Sequence, residues 1–422
     1  MALVAAFVLA WIATAAYAVS RSLVYPAVLF CGAWALSLFA ILLAGDMFYP
    51  VSEKAALVFL VGGLSFSFGS FLALAHARWR RWCAEPFHRA VEDVRFARLV
   101  LDLLLILVVG GLPYYWTQVR AITGDVEGGL LFSAVRNALV EGETENLLGP
   151  IAGNLHVLAG ILAPALVYET DGSWNRRWRV IVAVLAALTY ATLAGSKGGV
   201  VVLLTVLFTY WTKSARIPFA SMIAAGIGAV VFFGAALFLI NLAGSHQDGQ
   251  STPALIASII LNYWVGGLVA FGEVIESPIS YESTQHVGRF FVSVARSLGF
   301  SVEVPSVHAV YTVISDRPEI MDTNTYTIYF SYFKDLGWFG TTAILIALGY
   351  VLTLVWRKAL LGAPMSTVFY GAFATASVLS FFSEQFLLGL NGYLKALLVY
   401  FAVFHLAPAF LRRVRRPGGL CG

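Results

Sequence analysis

Charge is what this sequence has least of. Only 12% of its 422 residues are Asp, Glu, Lys or Arg, against roughly a quarter in an ordinary soluble domain. A surface so short of charge cannot be solvated all round. Cysteine is almost missing as well: Cys31 falls in an apolar run, Cys83 in a basic loop and Cys421 at the tail. That pattern gives no sign of a disulfide framework. No basic stretch precedes the apolar residues 2–19, so they are expected to be a first span and not a secretory signal. There is no P-loop, no G-x-S-x-G elbow and no H-E-x-x-H helix. His246, His286, His308 and the carboxylates near them lack the spacing of metal ligands, so neither a transition metal nor a cofactor is expected.

What the chain does have is length of apolar run. Hydrophobic residues make up 59% of it, and runs of about twenty recur along its whole length. Each can satisfy its backbone in lipid only as a helix. Eleven spans result: 2–19, 23–44, 55–75, 99–116, 147–168, 180–194, 200–211, 219–242, 338–356, 365–388 and 394–411. The expected fold is an all-α polytopic membrane protein, one transmembrane domain over residues 1–422. The net charge of +4 calls for no nucleic-acid partner, because the basic residues cluster in short loops. Arg78, Arg80, Arg81, Arg89, Arg95 and Arg98 fill one; Arg176, Arg177 and Arg179 another; then Lys213 and Arg216, Arg357 and Lys358, and the tail Arg412 to Arg416. With these spans all lie on one side, the cytoplasm by the positive-inside rule. The N-terminus is then outside and the C-terminus inside. The apolar stretch 255–275 would reverse the later basic loops if it crossed alone, so it is expected to be re-entrant or interfacial. Two external segments remain, 117–146 and 243–337. The second is too long for a structureless loop, so it should carry helices of its own and cap the functional site.

Lys197 stands in Gly195-Ser196-Lys197-Gly198-Gly199, facing outward against the charge bias. A lysine at a helix end can simply snorkel. Here glycines let backbone N–H groups approach a ligand, and the next helix begins at once with its positive end. Cation and helix N-terminus together suit a phosphate or diphosphate. Arg289 and Arg296 are seven residues apart, on one face of a helix. They read either as solvated arginines or as bidentate phosphate ligands. Arg120 and Arg136 are weaker candidates of the same kind. Glu273 closes the apolar stretch after Tyr263, where it marks a helix end or enters the membrane boundary as a base. His286 and His308 are loop histidines able to shuttle protons.

Three stretches resemble the Wzy-type O-antigen polymerases, bacterial oligosaccharide repeat-unit polymerases. They are Gly195-Ser196-Lys197-Gly198-Gly199, then Asn262-Tyr263-Trp264-Val265-Gly266-Gly267-Leu268-Val269-Ala270-Phe271, then Asn324-Thr325-Tyr326-Thr327 through Tyr332, Lys334 and Asp335 into Leu336-Gly337-Trp338-Phe339-Gly340. The long external segment before the last three spans agrees. Lys197 departs from the family's arginine, losing the bidentate fork, and Leu336 stands where an aromatic is common. The resemblance implies a GT-C-like, metal-independent glycosyltransferase of the bacterial inner membrane. It would move a glycan from undecaprenyl diphosphate onto a second lipid-linked repeat unit, and it can work with a chain-length regulator. Lys197, Arg289, Arg296 and Arg120 would hold the diphosphate and Glu273 or His308 would act as base. Asn324 and Tyr326 would bind sugar or pyrophosphate. The alternatives are an O-antigen ligase acting on lipid A core and a transporter of lipid-linked sugars.

Overall fold

A computed structural model describes residues 1–79, 91–124, 135, 149–170, 174–194, 198–214, 228, 259–276, 287–302, 311–317, 320, 322–323, 325–387 and 389–409. Within them the protein is helical. No strand is present among the described residues, only an isolated antiparallel bridge between Thr312 and Thr323. Among the described residues eight helices are long and apolar enough to cross a membrane, the architecture of a polytopic membrane protein; one of them is Ile259–Glu276, in the stretch expected to be re-entrant or interfacial. The segment 219–242, expected to span, lies almost wholly outside the described residues.

The chain forms two compact units. The first joins residues 1–84, 250–357 and 373–391; the second joins 85–249, 358–372 and 392–422. In the first, α1 (Ala2–Ser20), α2 (Pro26–Ala44) and α3 (Glu53–Trp79) follow one another. A π-helical turn, Asn262–Gly266, leads into α9 (Gly267–Glu276). Then come α10 (Arg289–Ser297) and α11 (Ile328–Leu360). Pro26 opens α2 at its first turn, where a missing N–H costs nothing. The core is aromatic. Trp34 meets Tyr329 edge-on at 4.6 Å and Phe59 at 4.8 Å, and Phe30 stacks on Phe66 at 4.2 Å.

Glycine brings α3 and α11 to backbone contact. A Cβ added at Gly69 would lie 2.0 Å from the Ile346 carbonyl oxygen, and one at Gly349 would lie 2.0 Å from that of Phe66. In lipid, where helices gain nothing from hiding apolar surface, such close approach is what holds them together. Gly337 interrupts α11 with φ 61° and ψ −160°, a conformation open essentially to glycine alone. It separates a short helix, 328–336, from the long span that the sequence starts at Trp338.

The second unit holds α4 (Val91–Gly110), α5 (Leu112–Thr123), α6 (Gly149–Glu169), α7 (Trp174–Leu193) and α8 (Gly198–Ser214). α12 (Pro364–Val378) contributes to both units and α13 (Leu390–Phe401) almost entirely to this one. Helices α7 and α8 end and begin on either side of residues 195–197, which are outside the described residues. Some of the charge on these helices is paired. Arg179 meets Asp102 at 3.1 Å and Arg98 meets the buried Glu169 at 3.6 Å. Lys213 donates to the carbonyls of Val167 (3.4 Å), Tyr168 (2.5 Å) and Thr170, closing the end of α6.

Candidate functional site

Three interruptions of regular helix meet inside the first unit. The first is the π turn at Asn262–Gly266, a form that recurs at functional positions. Asn262 is buried, and Trp264 donates its indole N–H to Ser37 Oγ at 3.0 Å. The second is made by Thr323 and by Thr325 to Thr327, just before α11. Thr323 and Thr312 exchange both backbone hydrogen bonds, at 2.8 and 3.0 Å. Thr323 and Thr325 share a hydroxyl contact of 2.7 Å. The third lies beyond α12, which stops at Val378 and gives way to a 3-10 turn, Leu379–Phe381, and an irregular stretch up to Leu387. Trp34 donates to Ser380 Oγ at 2.9 Å.

Gly267 is where they touch. A Cβ there would stand 3.4 Å from the carbonyl oxygens of both Phe381 and Thr325, and 3.7 Å from the Thr327 nitrogen. Irregular backbone in a buried centre needs protein or enclosed water to satisfy its polar groups. Broken helices of this kind are where membrane proteins build ligand sites. Glu384 supplies part of that satisfaction. It is 3% exposed. Its Oε1 accepts from the Tyr332 hydroxyl at 2.8 Å and from the Phe386 and Leu387 N–H groups at 2.7 and 2.9 Å; Oε2 also accepts from Leu387, at 3.0 Å. Thr327 Oγ1 is fully buried and has no hydrogen-bond partner among the described residues, so this centre retains an unused polar group.

Above this centre, Tyr49 donates its hydroxyl to Asp316 Oδ1 at 2.6 Å, and Ser315 Oγ donates to the Met47 carbonyl at 2.6 Å. The Tyr49 hydroxyl is pushed above its ordinary pKa, first by that hydrogen bond, then by desolvation and by the negative charges of Asp316, Glu273 and Asp322. Lys54 closes the end of α9 through the Ile275 carbonyl at 3.0 Å.

The residues singled out from sequence are distributed unevenly. Tyr326 is buried here; its hydroxyl shares a 2.7 Å hydrogen bond with Thr312 Oγ1 and its ring stacks on Phe330 at 4.3 Å. Glu273 is exposed in the last turn of α9. Arg289 and Arg296 open and close α10, Arg289 half-buried and Arg296 exposed. Arg120 belongs to the second unit and lies over the Trp116 ring at 5.1 Å. Lys197, Arg136, His286, His308 and Asn324 lie outside the described residues. The structure thus brings two of the three family-like stretches together, Asn262–Phe271 and Thr325–Gly340, through Gly267 and through Phe271 against Phe333 at 6.3 Å.

Glu384 was hidden from sequence reading inside the apolar run 365–388. Its signal was its own charge, since an ionisable residue within such a run is by default a site candidate. Lys395 was hidden likewise in 394–411; its ammonium group donates to Asn154 Oδ1 at 2.9 Å. No family model matches this chain, no curated protein matches its sequence and no solved structure matches its fold.

Proposed function

We propose that this protein is a glycosyltransferase that polymerises oligosaccharide repeat units carried on undecaprenyl diphosphate, at the outer face of the bacterial inner membrane. The single observation that carries the reading is the meeting, at Gly267, of the two family-like stretches around a buried polar centre of broken helices. In this reading eleven spans run with the N-terminus outside and the C-terminus in the cytoplasm, and segments 117–146 and 243–337 cap the site. The acceptor sugar hydroxyl attacks the anomeric carbon of the donor glycan. The bond from that carbon to the diphosphate oxygen breaks, and the hydroxyl proton passes to a base, Glu273 or His308. Lys197, Arg289, Arg296 and Arg120 receive the charge that develops on the leaving diphosphate. Asn324 and Tyr326 bind the sugar or the pyrophosphate. Glu384 has protein donors on both oxygens and acts as a positioning residue that fixes the loop after α12.

The test is reconstitution of the purified protein in liposomes with lipid-linked repeat units. Products separated by size should form a ladder of increasing repeat number. A single transfer to added lipid A core would make the protein a ligase. Glycan moved across the bilayer without a new glycosidic bond would make it a transporter and overturn the reading.

A further inference from the structure

Helix α10 carries two faces. Arg289, Ser293 and Arg296 share one; Phe291, Val294 and Leu298 form a stripe on the other, about 170° away at 100° per residue. The apolar stripe is bare: Phe291 is 63% exposed and Leu298 72%, with Arg296 on the other face exposed as well. The helix closes with a Schellman turn, in which Gly299 at φ 93° donates to the Arg296 carbonyl and Phe300 to that of Ala295. That turn carries Phe300, itself exposed, back beside the stripe. At its other end α10 is tethered, since the Val287 N–H donates to Asp335 Oδ2 at 2.9 Å. Asp335 stands two residues before the Gly337 break from which the long span runs. Flanking that anchor are Leu336 and Phe339, both exposed and Phe339 by 93%. Leu336 ends the short helix before the Gly337 break and Phe339 opens the long span after it.

We propose that α10 lies in the membrane interface, with Phe291, Val294, Leu298 and Phe300 sunk among the acyl chains. The tether sets its height at the start of a span. The bare apolar stripe then continues the exposed apolar surface at Leu336 and Phe339, while the arginine face turns away from the hydrocarbon. A short amphipathic helix with this division of residues binds the boundary between headgroups and chains. The inference rests on the membrane character of the chain and not on glycosyl transfer, so either can fail alone.

The experiment places a nitroxide on Phe291→Cys, Leu298→Cys or Arg296→Cys, each in a Cys83→Ser/Cys421→Ser background. The protein is held in nanodiscs of phosphatidylethanolamine and phosphatidylglycerol. Power-saturation spectra should show labels at 291 and 298 colliding severalfold more with oxygen than with a water-soluble nickel chelate, with the order reversed at 296. Labels at 291 and 298 open to nickel would overturn the proposal. So would labels reached by neither relaxant, the mark of a stripe covered by protein. If a labelled variant does not purify intact, Phe291→Trp fluorescence quenched by brominated acyl chains reads the same position.

Discussion

The Tyr332 hydroxyl donates to Glu384 Oε1 over 2.8 Å, joining the short helix before Gly337 to the loop after α12. Both residues are buried, so the bond forms where water does not compete. Tyr332→Phe should lower stability by about 1–3 kcal/mol, the cost of leaving a buried acceptor short of a donor. Glu384→Ala should cost more, because two backbone N–H groups lose their acceptor together with Tyr332. Thermal unfolding in detergent checks both, with the exposed Tyr210→Phe as the silent control; equal midpoints for all three would show that the pair holds nothing.

Gly69→Ala and Gly349→Ala should each force α3 and α11 apart, since the added methyl would meet a carbonyl oxygen at 2.0 Å. Overpacking of this kind costs roughly 1–3 kcal/mol. Gly32→Ala on α2 meets nothing within 4 Å and should be neutral or slightly stabilising, as alanine is the better helix former. Unfolding titrations in mixed micelles would rank the three.

Gly337→Ala should straighten α11 or strain it by about 1–3 kcal/mol. Asparagine, which tolerates the ordinary left-handed region, should not rescue it, because ψ here is −160°. Protease susceptibility of the segment before the span reads the change; an asparagine variant indistinguishable from the natural protein would contradict the assigned backbone.

Arg289→Ala should slow repeat-unit transfer by roughly 10²–10³-fold if the guanidinium receives charge from the leaving diphosphate. Arg289→Lys should recover part of that, keeping the charge and losing the fork. The recovery shows in single-turnover kinetics. Full activity of the alanine variant would remove Arg289 from the reaction.

The helices were legible because their physics is local: twenty apolar residues leave the backbone no other state in lipid. The start of the long span was legible too, since the sequence begins it at Trp338, directly after the break at Gly337. The end of α12 was not. Residues 379–388 are as apolar as the residues before them, and what breaks the helix there is tertiary, with Ser380 taken by Trp34 and Glu384 by Tyr332. The single span expected at 99–116 falls within one candidate membrane-crossing stretch, Asp93–Thr123, with an interruption at Gly111 between α4 and α5 that the sequence did not announce. The convergence at Gly267 could not be read at all, since it depends on segments some sixty and more than a hundred residues apart in the chain coming to rest on one glycine.

The extended run from Thr325 to Thr327 has a consequence for assembly. It closes on Gly267 together with Phe381, so this packing cannot be complete before all three segments exist. One of those segments, Phe381 with the loop held by Glu384, leaves the ribosome more than fifty residues later. The start of α11 therefore reaches its final packing only after the loop beyond α12 has been made, late in synthesis.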